Sequence, residues 1–218
     1  MTATETIKTG VIHKPRLSKR ALIGGGAALA VLVVMALDTT VVRIGSEQDA
    51  RVAAFSPDAY GAETFPRVRS FVMDKAVPVA ELVAALEADK VAAGEKYGSG
   101  GMMPVIPVTF SGVVGEGKGG IFDVVVPEAP GVRIRVQTGP AINGTDPRDA
   151  PGDIAFGQFK NQIEFQDAGS GLNRAMKAEV LDGLDQASLP GKTMTVTGVF
   201  KLISPKMWLV TPVAVTVQ

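Results

Sequence analysis

Three patterns of apolar and polar positions follow one another along the chain. Residues 21–37 form an uninterrupted apolar run, ALIGGGAALAVLVVMAL, in which no residue carries a charge. Residues 78–95 repeat their apolar positions at helical spacing, and from residue 104 the repeat changes to two, which is typical of β-strands. The pattern predicts an α+β protein in which one apolar helix precedes shorter helices and a β-rich domain.

The apolar run predicts a helix that crosses a membrane. Its helical length is roughly 25 Å at about 1.5 Å per residue, the short end of what a bilayer core requires. Residues 1–20 contain five basic residues and one acidic residue, and basic flanks stay in the cytoplasm. We therefore expect a single-pass signal anchor at 21–37, a cytoplasmic tail at 1–20 and an exported remainder.

Two other interpretations of the run stay open. A buried core helix is the first, although the run has no polar face and basic residues stop abruptly at its start. The second is a signal peptide cleaved after Ala36, because Val34-Met35-Ala36 fits the small-x-small rule for cleavage. The run is longer than the usual apolar region of a signal peptide, about 7–15 residues, and this favours an uncleaved anchor.

Residues 38–103 are predicted to form a connector and a helical lead-in, with some strand character around Val41–Ile44. A first helix is expected to begin at Ser56 or Asp58, beside Pro57, and to end near Pro66, because proline lacks a backbone donor. A second helix is predicted over 78–95. Its apolar positions and its C-terminal cap are Val79, Leu82, Val83, Leu86, Val91 and Gly94.

Residues 104–218 predict five strands, with a helix at about 165–184 between the third and the fourth. The strands are expected at 105–114, 121–126, 132–137, 192–203 and 208–217. Gly112 and Gly198 each interrupt an alternating strand, and such a glycine lets a strand bend in a small barrel. This order predicts the five-stranded Greek-key barrel called the OB-fold, with the helix plugging its open end. Another small α+β sandwich is the alternative.

Composition and charge narrow the chemistry. The net charge of zero is the sum of +4 in residues 1–20 and −4 in residues 38–218. The chain has no cysteine, and its one histidine, His13, lies in the predicted tail, which excludes histidine- and thiol-dependent catalysis in the exported domain. Acidic pairs within 146–153 and 182–185 are predicted to be solvated or to form turns. We therefore predict no enzyme, no cofactor and no metal site.

The polar segment 137–162 is the most unusual stretch of the exported part. In a functional interpretation, it forms a ligand patch in which arginine suits a planar anion or a sugar and amides suit hydroxyl groups. In a structural interpretation, Arg148 and Asp149 satisfy backbone groups and close the barrel. The candidate binding residues are Asn143, Thr145, Arg148, Asp149, Phe156, Phe159, Asn161 and Gln162, and the structural residues of the loop are Gly139, Pro140 and Gly144.

Several short strings carry a resemblance to a known family. The segment GPAINGTDPRDA at 139–150, with Asn161-Gln162-Ile163-Glu164, Leu172-Asn173 and Gly191-Lys192-Thr193, resembles the bacterial domain-of-unknown-function 2291 family. The resemblance covers about residues 38–218. It implies a periplasmic lipoprotein with an OB-fold-like domain, often encoded beside sugar ABC transporter components. Met35–Asp38 lacks the cysteine that would carry a lipid, so we expect the helix to replace the lipid as the anchor.

Four function classes follow from these observations. We expect a membrane-anchored, non-catalytic accessory protein, with the inner membrane and a sugar ABC transporter permease or binding protein as partners. The alternative is a direct binder of a small, sugar-like ligand through the loop at 137–162. Nucleic acid is disfavoured, because strand binding needs a positive groove and the exported part has a net charge of −4. An enzyme is disfavoured by the missing histidine and cysteine.

Overall fold

The computed structural model describes residues 19–39 and 55–218, in two units that divide between Ala54 and Phe55. The described residues of the first unit form the helix α1 (Lys19–Asp38). Within the described residues, no helix has the length and apolar character that a membrane crossing demands. The membrane span at 21–37 stays a prediction, and the tail up to residue 18 and the strand character around Val41–Ile44 lie outside the described residues.

Helix α2 (Pro57–Lys75) opens the second unit. The Oγ atom of Ser56 accepts a hydrogen bond of 3.4 Å from the amide of Ala59, so the predicted start is confirmed. The predicted end at Pro66 is wrong, because the helix continues for more than two turns beyond it. Pro66 is exposed, whereas the face that carries Phe65 and Val68 is fully buried, and this packing outweighs the loss of one backbone hydrogen bond.

The predicted helix over 78–95 is two helices, α3 (Val79–Ala88) and α4 (Lys90–Tyr97), which follow the two-residue strand β1 (Val77–Pro78). Asp89 separates them: its backbone is extended, and its Oδ1 atom accepts the amides of Val91 and Ala92 at 2.8 and 3.1 Å. The predicted apolar positions of α3 are buried, but Val91 is exposed and Gly94 lies inside α4.

Five longer strands follow, close to the predicted positions. They are β2 (Val105–Lys118), β3 (Ile121–Val125), β4 (Arg133–Gln137), β5 (Thr193–Lys201) and β6 (Met207–Val217). β2 pairs with β3, β3 with β4, β4 with β6, β6 with β5, and β5 again with β2, so the pairings form a closed ring. The predicted total of five strands is wrong, because β1 pairs with β2 and is too short to show a period.

Two glycines allow strands to come unusually close. β2 pairs with β5 over residues 105–113 and with β3 from Val113 onward, so it changes partner beside Gly112. A Cβ atom at Gly112 would lie 2.5 Å from the carbonyl oxygen of Val125, and one at Gly198 would lie 2.5 Å from that of Thr211. A side chain at either position would therefore collide with the neighbouring strand.

Two apolar cores lie on the two faces of the strands. Along β2, Ile106 belongs to the inner core and the adjacent Val105 to the outer core. The inner core also holds Trp208 and the buried side chains of α3. The outer core lies between α2, helix α6 (Gln162–Met176) and the outward side chains of β2, β5 and β6.

The helix between the third and fourth long strands does not plug the barrel as predicted. α6 packs against α2 in the outer core, and α3, with Ala93 of α4, supplies helical side chains of the inner core. Close contact between α2 and α6 requires glycine, because a Cβ atom at Gly171 would lie 1.9 Å from the carbonyl oxygen of Pro57. The chain continues from α6 as a π-helical turn, Lys177–Leu181, so the predicted range of 165–184 is close to the observed one.

Candidate functional site

The polar loop after β4 is held by the side chain of Gln137. Its Nε2 atom donates to the carbonyl oxygen of Asn143 at 3.1 Å and to the hydroxyl oxygen of Thr211 at 2.9 Å, and its Oε1 atom accepts the amide of Asn143 at 2.9 Å. Gln137 and Thr211 are buried, so these bonds form away from water. The loop is therefore fixed to β6.

Arg148 lies inside the loop and not on its surface. The residue is 7% exposed, and its Nε and Nη2 atoms contact the Oδ1 atom of Asp149 at 2.8 and 2.7 Å. Its Nη1 atom donates to the carbonyl oxygen of Phe165 at 2.8 Å, and its guanidinium lies 3.7 Å from the centre of the Phe165 ring. These contacts correspond to the structural interpretation of Arg148 and Asp149.

Asp149 and Thr145 complete this network. The hydroxyl group of Thr145 donates to the Oδ2 atom of Asp149 at 2.7 Å, so both carboxylate oxygens of Asp149 have a partner. Both residues belong to the short helical turn α5 (Asp146–Asp149) and the position before it. The candidate binding residues Thr145, Arg148 and Asp149 are therefore brought together, and they bind one another.

Asp146 was predicted to be solvated or to form a turn; it begins the helical turn α5, but it is buried. The pKa of Asp146 is raised to about 6, mainly by burial and in part by the charge of Asp149, whereas Lys201 opposes the shift. The Nζ atom of Lys201 lies 3.9 Å from Asp146 Oδ1 and 3.8 Å from Asp149 Oδ2. The ammonium group of Lys201 thus faces two carboxylates without a hydrogen bond to either.

The remaining candidate residues lie around the start of α6. Asn161 is its N-cap, with Oδ1 accepting the amide of Glu164 at 2.9 Å, and Gln162 is its exposed first residue. Phe156 and Phe159 each contact Phe165, with ring centres 5.8 and 5.4 Å apart. Phe159 and Phe165 pack against the outer core, whereas Phe156 is half exposed.

The three structural loop residues have local roles. Gly139 and Gly144 have backbone φ angles of +95° and +90°, a region that favours glycine. Pro140 follows Gly139 through a cis peptide bond. The carbonyl oxygen of Gly144 accepts a 2.8 Å hydrogen bond from Asn173 Nδ2 in α6, which ties this part of the loop to the helix. In the described residues, Asn173 Oδ1 is the one buried side-chain polar atom without a partner.

The outer side of the same loop borders a cleft of about 390 Å³. Asn143 and Asp146 come from the loop, Arg135 from β4, and Lys201 from the end of β5. Of these, only Asn143 was among the candidate binding residues. Sequence alternation places Arg135 on an outward face of β4, but its proximity to Lys201 depends on the path of the strands and has no signal in the sequence.

Comparison with known proteins agrees with the sequence resemblance. A family model described as "Predicted periplasmic lipoprotein (DUF2291)" matches residues 28–216. The chain belongs to this family. The DUF2291 description and the expected periplasmic location both place the protein in the cell envelope. The lipid part of the description lacks an acceptor here, because the sequence contains no cysteine. No curated protein matches the chain.

The fold has a counterpart among solved structures. A crystal structure of an OB-fold protein from Thermotoga maritima is similar to this DUF2291 chain with a TM-score of 0.61 and 20% sequence identity. The similarity covers 76% of this chain and 99% of the other. At this identity the likeness concerns the fold alone, and it confirms the OB-fold prediction.

Proposed function

We propose that this protein is a membrane-anchored, non-catalytic accessory protein of the cell envelope, and that its OB-fold-like domain holds a protein partner. The observation that supports the proposal is an exposed apolar surface near the loop between β5 and β6. We call it the docking surface. It consists of Val91, Met102, Met103, Pro104, Leu202 and Ile203.

Four members of the docking surface are unusually exposed for apolar residues, whereas Pro104 and Leu202 are buried. Met102 is 98% exposed, Val91 67% and Ile203 68%. Val91, Met102, Pro104 and Leu202 line one groove of about 380 Å³. Ile203 is held beside this groove, because the Nζ atom of Lys90 donates to its carbonyl oxygen at 3.1 Å. Contiguous exposed apolar surface of this kind is typical of protein interaction sites.

The composition of the surface favours a protein over a small ligand. Lys90 and Glu95 stand at the edge of the groove, which gives an apolar centre and a charged rim. Unbranched methionine side chains adapt to the shape of a partner. The alternative, a small ligand bound through Arg148, has less support, because every nitrogen of that guanidinium already contacts protein and the side chain is buried.

The partner and the anchor are parts of the proposal that rest on the sequence. The resemblance to a family encoded beside sugar ABC transporters suggests a permease or a binding protein of such a system. The uncharged run 21–37 lies within the 20-residue helix α1, and its described side chains are exposed. This supports a proteinaceous anchor in place of the lipid that a cysteine would carry.

Site-specific photo-crosslinking in intact cells tests the docking surface. A photoreactive residue at Met102 or Met103 is expected to give a discrete crosslinked product, and one at Glu116, which is exposed on the β2–β3 hairpin, is expected to give none. Val91→Asp and Ile203→Asp are expected to abolish the product from Met102. Equal products from Met102 and Glu116 would exclude a specific surface.

Membrane extraction and intact mass test the anchor. We expect the chain to stay in the membrane pellet at alkaline pH and to keep residues 1–36 in its mass. A mass that begins at Leu37 would show cleavage and would contradict the anchor.

A further inference from the structure

The cleft that lies between the loop and β6 combines two cations with an aliphatic wall. Arg135 comes from β4 and Lys201 from β5, while Ile203, Met207 and Leu209 supply the apolar side. Leu209 is the direct neighbour of Arg135 across the β4–β6 pairing, so a charged and an aliphatic side chain stand side by side. The volume, about 390 Å³, is within the usual range for small-ligand sites.

Arg135 differs from its neighbour on the same strand. Arg133 forms a two-pronged ion pair with Asp123, with distances of 2.8 and 2.9 Å. In the part of the chain that the structure describes, the side chain of Arg135 has neither a hydrogen bond nor an ion pair, and the residue is only partly buried. Its five N–H donors are therefore available to a group that enters the cleft.

The charges around the cleft leave an excess of positive charge. Arg135 and Lys201 carry one positive charge each, and Asp146 carries at most one negative charge. Asp149, the other acid near Lys201, has its charge balanced by Arg148. The cleft is thus cationic although residues 38–218 have a net charge of −4.

We propose that this cleft binds a carboxylate that carries a short aliphatic group. The guanidinium of Arg135 is suited to a two-pronged bond with a carboxylate, and Ile203, Met207 and Leu209 cover the aliphatic part. A neutral molecule without an acceptor group would leave the guanidinium N–H groups of Arg135 without a hydrogen-bond partner. A polyanion such as a nucleic acid needs several phosphate contacts, which two cations beside an aliphatic wall do not offer.

Two sources of this chemistry exist, a free aliphatic acid and the C-terminal carboxylate of a protein. The test uses the full-length chain in dodecyl maltoside micelles and measures binding by calorimetry. The probes are hexanoate, N-acetyl-Gly-Gly-Leu with a free carboxylate, the amide of the same peptide, and hexanol. We expect saturable binding of at least one acid and none of the amide or of hexanol. Binding of the peptide acid alone would identify a chain end as the source.

Arg135→Gln and Arg133→Gln form a matched pair, since both change an outward arginine of β4 but only Arg135 lines the cleft. We expect at least a tenfold rise in the dissociation constant for Arg135→Gln and less than a twofold rise for Arg133→Gln. Ile203→Asp, at an exposed position, is expected to weaken binding as strongly as Arg135→Gln does, without a change in the circular dichroism spectrum.

Lower pH adds an independent readout. Because burial raises the pKa of Asp146 to about 6, this acid loses its negative charge as the pH falls from 7.5 to 5.5. Binding is expected to tighten by about threefold or more over this range and to change less in Asp146→Asn. The charged groups that face Asp146 are Lys201 and Asp149, and Asp149 is paired with Arg148.

Three results would overturn the proposal: no binding of either acid, equal binding of hexanoate and hexanol, or equal losses in Arg135→Gln and Arg133→Gln. The cleft borders the docking surface at Ile203, but the two proposals fail separately. Calorimetry with small acids does not require the protein partner, and crosslinking from Met102 does not require a carboxylate.

Discussion

Arg148 and Phe165 form a double contact that joins the polar loop to α6. The guanidinium carbon of Arg148 lies 3.7 Å from the centre of the Phe165 ring, and the same side chain donates to the carbonyl oxygen of Phe165 at 2.8 Å. Asp149 supplies the counter-charge at 2.7 Å. One buried cation therefore satisfies a helix carbonyl, an aromatic face and a carboxylate.

We expect Arg148→Ala to lower the free energy of unfolding by about 3 kcal/mol, because it leaves Asp149 and the Phe165 carbonyl without their partner. Arg148→Lys is expected to recover only part of this loss, since lysine keeps the charge but not the planar fork. Urea unfolding followed by circular dichroism measures both. Arg67→Ala is the control: its exposed pair with Asp153 contributes less than about 1 kcal/mol. Equal losses at positions 67 and 148 would contradict a structural role for Arg148.

The buried carboxyl of Asp146 makes stability depend on pH. Its pKa is raised to about 6 in the folded protein, against about 3.9 in an unfolded chain, so folding favours the protonated form. This contribution is complete below pH 4 and is lost as the pH rises through 6. The difference in the free energy of unfolding between Asp146→Asn and the wild type is expected to shift by about 2–3 kcal/mol in favour of the variant as the pH rises from 4 to 7.5. A difference between the two proteins that stays constant with pH in urea unfolding would refute this.

The contact between α2 and α6 leaves no space for a side chain at Gly171. A Cβ atom there would lie 1.9 Å from the carbonyl oxygen of Pro57, so Gly171→Ala must push the helices apart. We expect a loss of about 1–3 kcal/mol in the free energy of unfolding. Gly183→Ala has open space around its Cβ position and is expected to be neutral. Thermal unfolding of the two variants side by side checks the difference.

Gln137 is expected to hold the loop to β6 through its amide. Gln137→Met keeps the volume but leaves the amide of Asn143 and the hydroxyl of Thr211 without a partner, which costs about 1–3 kcal/mol. Hydrogen exchange at the amide of Asn143 is expected to accelerate at least tenfold. The amide of Val196, in the interior of β5, serves as the internal reference. Unchanged exchange at Asn143 would show that the loop is held by other contacts.

Local patterns identified most elements of the second unit but not their ends. Pro66 lies inside α2 because a fully buried face on the same helix compensates for the missing donor. The burial of that face depends on tertiary contacts, so the residues around Pro66 do not predict it. Asp89 divides one predicted helix into two because its carboxylate caps the second helix, although the apolar spacing continues across it. In both cases a contact outside the periodic pattern decided the boundary.

The candidate site was predictable as a segment and not as a surface. The sequence singled out 137–162, and the structure shows that Gln137 and Arg148 of this segment bind protein groups. Arg135 and Lys201, which line the cleft beside it, are 66 positions apart in the sequence and belong to β4 and β5. They meet because the position of each strand in the closed ring is set by the strands that pair with it. The residues near Arg135 and Lys201 in the sequence do not encode this pairing.

The sequence by itself determined the family, the OB-fold strand order and the two strand glycines, because alternation, turn residues and short motifs act over a few positions. It also determined the absence of cysteine and the separation of charge into +4 and −4 parts. Only the tertiary structure decided that α3 and not α6 contributes to the inner core, that Asp146 is buried, and which cations border the cleft. Those outcomes depend on which surfaces pack together, because packing decides which side chains are buried and which charges lie near one another.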